Sequence, residues 1–297
     1  MTAGNVRQAG AAVSDEIAAF GAYALSPARE RLRRWGLSLG QGAIARRLCS
    51  LIRRIVVAGR TGPFDVEAFP GQNARLYPDE NLSDKRVFAG AQFWDAVERA
   101  ALGVAVRTAD EPVYMVDAGA NAGLYTLAVR AEAGPKDLKV LAIEPDPENL
   151  SRLRFNLAAS GADADVTVAP VALSDRDGET RIAVNHANRG ELTTGADGTP
   201  VAMRPLMSLV NEAGFPRVDA LKIDIEGMED PVLAHYLGNA DRVFWPRLVI
   251  LEAQRGEVTP ALERLQSAGY RIQERSRMNA ILALGPQTGT DRSHVEA

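Results

Sequence analysis

Two acid-bearing clusters in this chain of 297 residues have spacings that could do chemistry. The first opens at Asp117 and continues through Gly119, Asn121 and Gly123, after an apolar run from Val113 and before a helical pattern. Glycine has no Cβ, so such a turn lets backbone approach a ligand closely and aims a helix N-terminus at it. Glu144 stands 27 positions after Asp117 at the end of the next apolar run. A carboxylate there can accept the two hydroxyl hydrogen bonds of a ribose. Pro145 follows, and Asp146 and Pro147 suit the N-cap and first turn of a helix. The second cluster is Lys222, Asp224 and Glu226, alternating with Leu221, Ile223 and Ile225. In a strand those three charges share one face. Central parallel strands are buried on both faces, so a charged stripe belongs at the open carboxyl end, where ligands bind.

The first loop reads G-A-N-A-G, not the G-x-G-x-x-G of a pyrophosphate-binding turn. Asp117 would repel a pyrophosphate and attract a sulfonium or ammonium group. S-adenosylmethionine carries both cations and fits better than a nicotinamide or flavin. Methyl transfer needs acceptor oxygen, methyl carbon and sulfur in line, with the acceptor hydroxyl deprotonated or polarised. Asp224 or Glu226 is the expected general base, with Lys222 orienting it or stabilising a developing alkoxide. Glu252, ending the following strand, supplies a further acid. Magnesium between Asp224, Glu226 and Glu252 is a less favoured alternative, and no residue is assigned as a metal ligand. Bland roles compete at each position: Asp117 bracing its loop, Glu144 exposed near a helix start, Lys222 paired with a neighbouring acid for fold specificity.

The elements that must position these groups follow from periodicity. From Val113 onward apolar strand-like runs alternate with helical patterns, which predicts βαβ units on a doubly wound, mostly parallel sheet. Strands are expected at Val113 to Asp117, Lys139 to Glu144, Val166 to Leu173, Ala220 to Ile225 and Leu248 to Glu252. A terminal antiparallel pair is expected at Tyr270 to Gln273 and Ala280 to Leu284, with Asn279 as a residue that could face the acceptor. Ahead of the core lie a short strand from Phe64 to Phe69 and a helix from Gln92 to Leu102. The expected organisation is a helical basic extension (1–62), a lead-in packing on the core (63–110), a catalytic domain (111–285) and a disordered tail (286–297). The Gly/Thr-rich stretch from Gly190 to Pro200, beside His186, is either an acceptor loop or a plain connection. Trp94, Phe244 and Trp245 suit packing, and His235 suits a surface role.

Composition narrows the function classes. A net charge of −4 hides an uneven distribution: residues 28–60 carry nine arginines against one acid, Glu30. Within this stretch Ile44, Leu48, Leu51, Ile52 and Ile55 fall on one helical face, with Arg46, Arg47, Arg53 and Arg54 on the other. A basic amphipathic helix over 44–57 packs on the domain or touches an anionic membrane surface. The single cysteine, Cys49, and three scattered histidines, His186, His235 and His294, disfavour disulfide, redox and zinc chemistry. With no spanning run and no secretory pattern, a cytoplasmic location is expected, with peripheral contact to the inner membrane face as a variant.

Four ordered segments carry a resemblance: Val116 to Leu127 (VDAGANAGLYTL), Ile143 to Leu150 (IEPDPENL), Val171 to Gly178 (VALSDRDG) and Leu221 to Glu229 (LKIDIEGME). Together they resemble the FkbM family of methyltransferases. The resemblance implies a class I methyltransferase (Rossmann-like) fold and O-methylation of a hydroxyl on a sugar, glycan, lipid-linked saccharide or similar small molecule. Carried over by position, Asp117, Gly119, Ala120, Asn121, Gly123 and Tyr125 would serve the methionine side of the cofactor. Glu144 and Pro145 would serve the ribose, and Ala172 and Leu173 the adenine edge. The lead-in residues Tyr77, Asn81, Lys85, Arg86 and Glu98 resemble the family less tightly, and residues 1–60 lie outside the resemblance. Nucleic acid is not an expected partner, since no Pro-Pro-aromatic base-handling motif follows the fourth strand and the core is acidic. A nicotinamide-dependent oxidoreductase and a membrane-associated, non-catalytic binding module are the competing readings.

Overall fold

The computed structural model describes residues 18–184, 192–194 and 198–285. Helices α1 (Pro27–Leu37) and α2 (Ala43–Val57) lead into the hairpin β1 (Phe64–Phe69) and β2 (Gln72–Leu76), then α3 (Leu82–Gly90) and α4 (Ala96–Thr108). The alternation follows as β3 (Val113–Ala118), α5 (Leu124–Ala133), β4 (Leu138–Ile143), α6 (Pro147–Ala159) and β5 (Val166–Ala169). A side sheet is built from β6 (Ala172–Leu173), β7 (Gly178–Val184), β8 (Leu192–Thr194) and β9 (Thr199–Arg204). The chain then forms α7 (Leu206–Glu212), β10 (Ala220–Ile223), α8 (Glu229–Asn239) and β11 (Leu248–Glu252). It closes with α9 (Pro260–Ser267), β12 (Tyr270–Arg275) and β13 (Asn279–Leu284).

The main sheet among the described residues runs β12-β13-β11-β10-β3-β4-β5. The five strands from β11 to β5 pair in parallel, while β13 is antiparallel to both β11 and β12. The chain winds one way from β3 to β5 and the other way from β10 to β11, so the switch point lies between β3 and β10. A crevice opens outside the carboxyl ends at such a point. Side chains alternate between two apolar layers: Met115, Val140, Ala220 and Ile250 face one way, Val116, Leu141, Leu221 and Val249 the other. Burial on both faces explains why these strands read as continuous apolar runs.

Capping sets where the helices begin. Asp146 accepts the Asn149 amide at 2.9 Å with Pro147 at the first helical position, and Asn81 accepts the amides of Ser83 and Asp84. The N-terminal helices and hairpin do not form a separate core. Leu25, Ile52, Val56, Phe64 and Leu76 share one apolar layer with Val113, Leu127 and Ile250 of the wound domain.

Four expectations need correction. The run from Val166 to Leu173 is two strands: β5 ends at Ala169, and Ala172–Leu173 pairs with β9 in the side sheet. Strand β10 stops at Ile223, so Lys222, Asp224 and Glu226 do not share one strand face; Glu226 has a left-handed backbone, φ 54°. The helix expected from Gln92 begins at Ala96, after a short 3-10 turn over Ala91–Phe93. Helix α2 packs inward through Cys49, Ile52 and Val56, which leaves Ile44, Leu48, Leu51 and Ile55 exposed. His186, residues 190–191 and 195–197 of the stretch from Gly190 to Pro200, and the tail from 286 lie outside the described residues.

Candidate functional site

The loop after β3 is held from three sides. The amides of Gly119 and Ala120 both donate to the carbonyl of Ile143 at the tip of β4. Gly119 has φ +77°, and a Cβ there would lie 1.9 Å from the carbonyl oxygen of Asp224. Only glycine lets these two loops approach so closely. Asn121 takes a left-handed backbone, φ 51°, and its side-chain oxygen accepts from the Ala122 amide at 2.7 Å and from Nδ2 of Asn81 at 3.0 Å. Asn81 thereby fastens the start of α3 to the loop. Gly123, also left-handed, ends the turn against Leu153, where a Cβ would come within 2.5 Å of Cδ1.

Glu144 follows directly on β4 and is 2% exposed. One carboxylate oxygen accepts the Asn121 amide at 2.8 Å and the other the Asp146 amide at 2.9 Å. Burial outweighs these hydrogen bonds and pushes its pKa up to about 7. Each oxygen retains a second lone pair for an incoming hydroxyl donor.

Lys222 lies on β10 beside Asp117 on β3, in register across the sheet. Its ammonium donates to the carbonyl of Gly119 at 2.8 Å, approaches Asp224 at 3.5 Å and lies 5.5 Å from the centre of the Tyr125 ring. Burial pulls the lysine pKa down, but Asp224, Asp117 and Glu144 together more than offset it and hold the group charged. Asp117 is fully buried; one oxygen accepts the Thr126 hydroxyl at 2.7 Å and the other has no hydrogen-bond partner among the described residues. Burial raises its pKa against the pull of Lys222.

Asp224, just past β10, and Glu252, the last residue of β11, are close enough to share a proton. Burial, then the charge of Asp224, then the charges of Glu226 and Glu229, push Glu252 up to about 8, so it carries a proton at neutral pH. Glu229 accepts the amides of Ile225 at 2.8 Å and Gly227 at 3.3 Å and thereby shapes the loop that presents Asp224.

These elements enclose a cleft of about 470 Å³ at the switch point. It is lined by Gly119, Ala120, Asn121, Tyr125, Glu144, Pro145, Ala172, Leu173, Lys222, Asp224, Glu226 and Glu252. Asp117 and Gly123 are the expected site residues that do not reach it. Asp117 is therefore corrected from a direct ligand for a cation to a buried partner of Lys222 beneath the loop. Asn279 is also set aside for the acceptor: it is buried and donates to Glu98 at 2.8 Å, while its neighbour Met278 lines the cleft. Among the described residues no group of three or more His, Cys, Asp or Glu is placed to hold a metal ion.

Sequence reasoning missed Asp95, Met278 and the side-sheet residues Thr180 and Met203, all of which line the cleft. Asp95 accepts the Tyr125 hydroxyl at 2.7 Å from a left-handed backbone, φ 40°, at the start of α4. Burial raises the pKa of both groups, that of Tyr125 well above the ordinary phenol. Trp94 is buried as expected, yet it also lines the cleft, its ring 4.9 Å from that of Tyr125. The unusual backbone of Asp95 is the kind of feature found at functional sites, but no spacing pattern in the sequence marks it.

Comparison with known proteins gives a consistent outcome. Residues 117–272 match the Methyltransferase FkbM domain. Methyltransferase sdnD of Sordaria araneosa is 28% identical over 197 residues, 54% of this chain and 74% of that protein. A methyltransferase FkbM structure from Methylobacillus flagellatus KT is 17% identical, covering 78% of this chain and 59% of its own, with a TM-score of 0.41. The precorrin-6y C5,15-methyltransferase of Geobacter metallireducens GS-15 is 18% identical, covering 62% and 84%, with a TM-score of 0.38. No helix among the described residues is long and apolar enough to cross a membrane.

Proposed function

Because the chain belongs to the FkbM methyltransferase family, we propose that it methylates a hydroxyl oxygen of a sugar, glycan, lipid-linked saccharide or similar small molecule. Its class is that of S-adenosylmethionine-dependent methyltransferases, which replaces the oxidoreductase and non-catalytic readings. S-adenosylmethionine supplies an electrophilic methyl carbon, whose bond to sulfur breaks as the acceptor oxygen attacks.

The residues present suit that donor. Glu144 keeps lone pairs facing the cleft for ribose hydroxyls, and Pro145, Ala172 and Leu173 give an apolar wall for the adenine. Gly119, Ala120, Asn121 and Tyr125 line the part assigned to the methionine end. Lys222 neutralises Asp117 and fixes the Gly119 carbonyl, so its part is to position the loop.

The observation that carries the hydroxyl assignment is the Asp224–Glu252 pair on the same cleft wall. Glu252 holds its proton at neutral pH beside Asp224, while the Asp224 side chain is 40% exposed and lines the cleft. We assign Asp224 as the base that accepts the acceptor's hydroxyl proton, with Glu252 orienting it and Glu226 at the rim. Glu144→Gln is expected to weaken S-adenosylhomocysteine binding about tenfold by calorimetry, through loss of charge-assisted hydrogen bonds. Labelled donor offered to glycan, lipid-linked saccharide and small-molecule pools is expected to yield an alkali-stable methyl ether, lost in Asp224→Asn. A product methylated on nitrogen or carbon, or undiminished turnover in Asp224→Asn, sinks the assignment.

A further inference from the structure

We propose that the outward face of α2 is a docking surface for the anionic headgroup layer of a membrane. Ile44, Leu48, Leu51 and Ile55 are 75%, 38%, 53% and 51% exposed. Their steps of four, three and four residues form one stripe along the helix. The stripe is distinct from the packing face of Cys49, Ile52 and Val56, so it is surplus to what holds α2 in place.

Charge identifies the occupant. Arg47 and Arg54 are exposed and border the stripe on the side away from the packing face, with Arg31 and Arg46 also exposed nearby in sequence. Among the described residues, no carboxylate pairs with Arg47 or Arg54. Apolar residues flanked by arginines suit a helix that lies in the plane of a bilayer surface, its stripe in the acyl boundary and its cations among lipid phosphates. Two-fold pairing of this face with a second copy would bring like charges together at its edge, which disfavours that occupant. Helix α2 also packs on α3, whose Leu82 and Arg86 line the cleft. The docking surface is thus one helix away from the cleft wall.

Flotation of the full chain with phosphatidylcholine vesicles, with and without phosphatidylglycerol, tests this. The protein is expected to float with the anionic vesicles only, and raised salt is expected to release it. Leu51→Glu, and separately the double variant Arg47→Glu with Arg54→Glu, should each cut recovery about tenfold. Both should retain wild-type affinity for S-adenosylhomocysteine, which shows that they fold. Equal recovery with both vesicle types, recovery with neither, or unchanged recovery in the variants overturns the proposal. A lipid-free dimer in analytical ultracentrifugation that Leu51→Glu abolishes also overturns it, by giving the face to a second copy.

Discussion

Lys222 and Asp117 are register partners on adjacent parallel strands, both buried directly beneath the loop that lines the cleft. The pair makes the two halves of the wound sheet meet through opposite charges at the point where their loops diverge. Lys222 also holds the Gly119 carbonyl, so the position of the loop depends on this charge.

Lys222→Met should therefore destabilise the fold, because it removes the positive charge that offsets the buried Asp117 and leaves that carboxylate held by Thr126 alone. Adding Asp117→Asn should recover a large part of that loss. Urea unfolding of the two single variants and the double variant measures the coupling. Strict additivity would mean that the two charges do not support each other.

The raised pKa of Glu252 gives a stability prediction with a definite sign. The folded state holds the proton up to about pH 8, while the unfolded chain releases it near the ordinary glutamate value. The group's favourable contribution is thus complete at acid pH and is lost as pH rises through that window. Glu252→Gln stays neutral, so its melting temperature should gain on wild type as pH rises from about 4.5 to about 8, and the difference should stay constant above. A gap that does not change with pH would contradict the shared proton.

Gly119 and Gly227 provide a matched test of close approach. Both have left-handed backbones, at φ +77° and φ +94°, but only Gly119 faces another loop's carbonyl; around Gly227 the space is open. Gly227→Ala should cost about 1–2 kcal/mol from backbone strain alone. Gly119→Ala should cost more and abolish binding of S-adenosylhomocysteine, as followed by thermal unfolding and calorimetry. Equal effects at the two sites would remove the argument for contact between the loops.

The parallel core was legible because its strands are buried on both faces and end in chemistry-bearing residues. Asp117, Glu144, Asp224 and Glu252 each lie at or just past the end of an apolar run, and that placement needs no tertiary information. Whether such an acid faces the cleft is a different matter. Asp117 and Lys222 sit side by side only because β3 and β10 are neighbours, although 105 positions separate them. Asp95 was invisible for a similar reason: an isolated acid gains meaning when the residue just before α4 meets Tyr125 of α5. Helix α2 shows the limit of periodicity, since two adjacent apolar stripes both satisfy the helical repeat and packing uses just one.

The buried hydrogen bond between Glu98 and Asn279 joins residues 181 positions apart. During synthesis α4 leaves the ribosome early, carrying an acid whose hydrogen-bond donor has yet to be translated. The wall of the cleft that contains Asp95 therefore gains its final support when the last strand emerges, and a ribosome-stalled chain ending before Asn279 would hold that helix without its anchor.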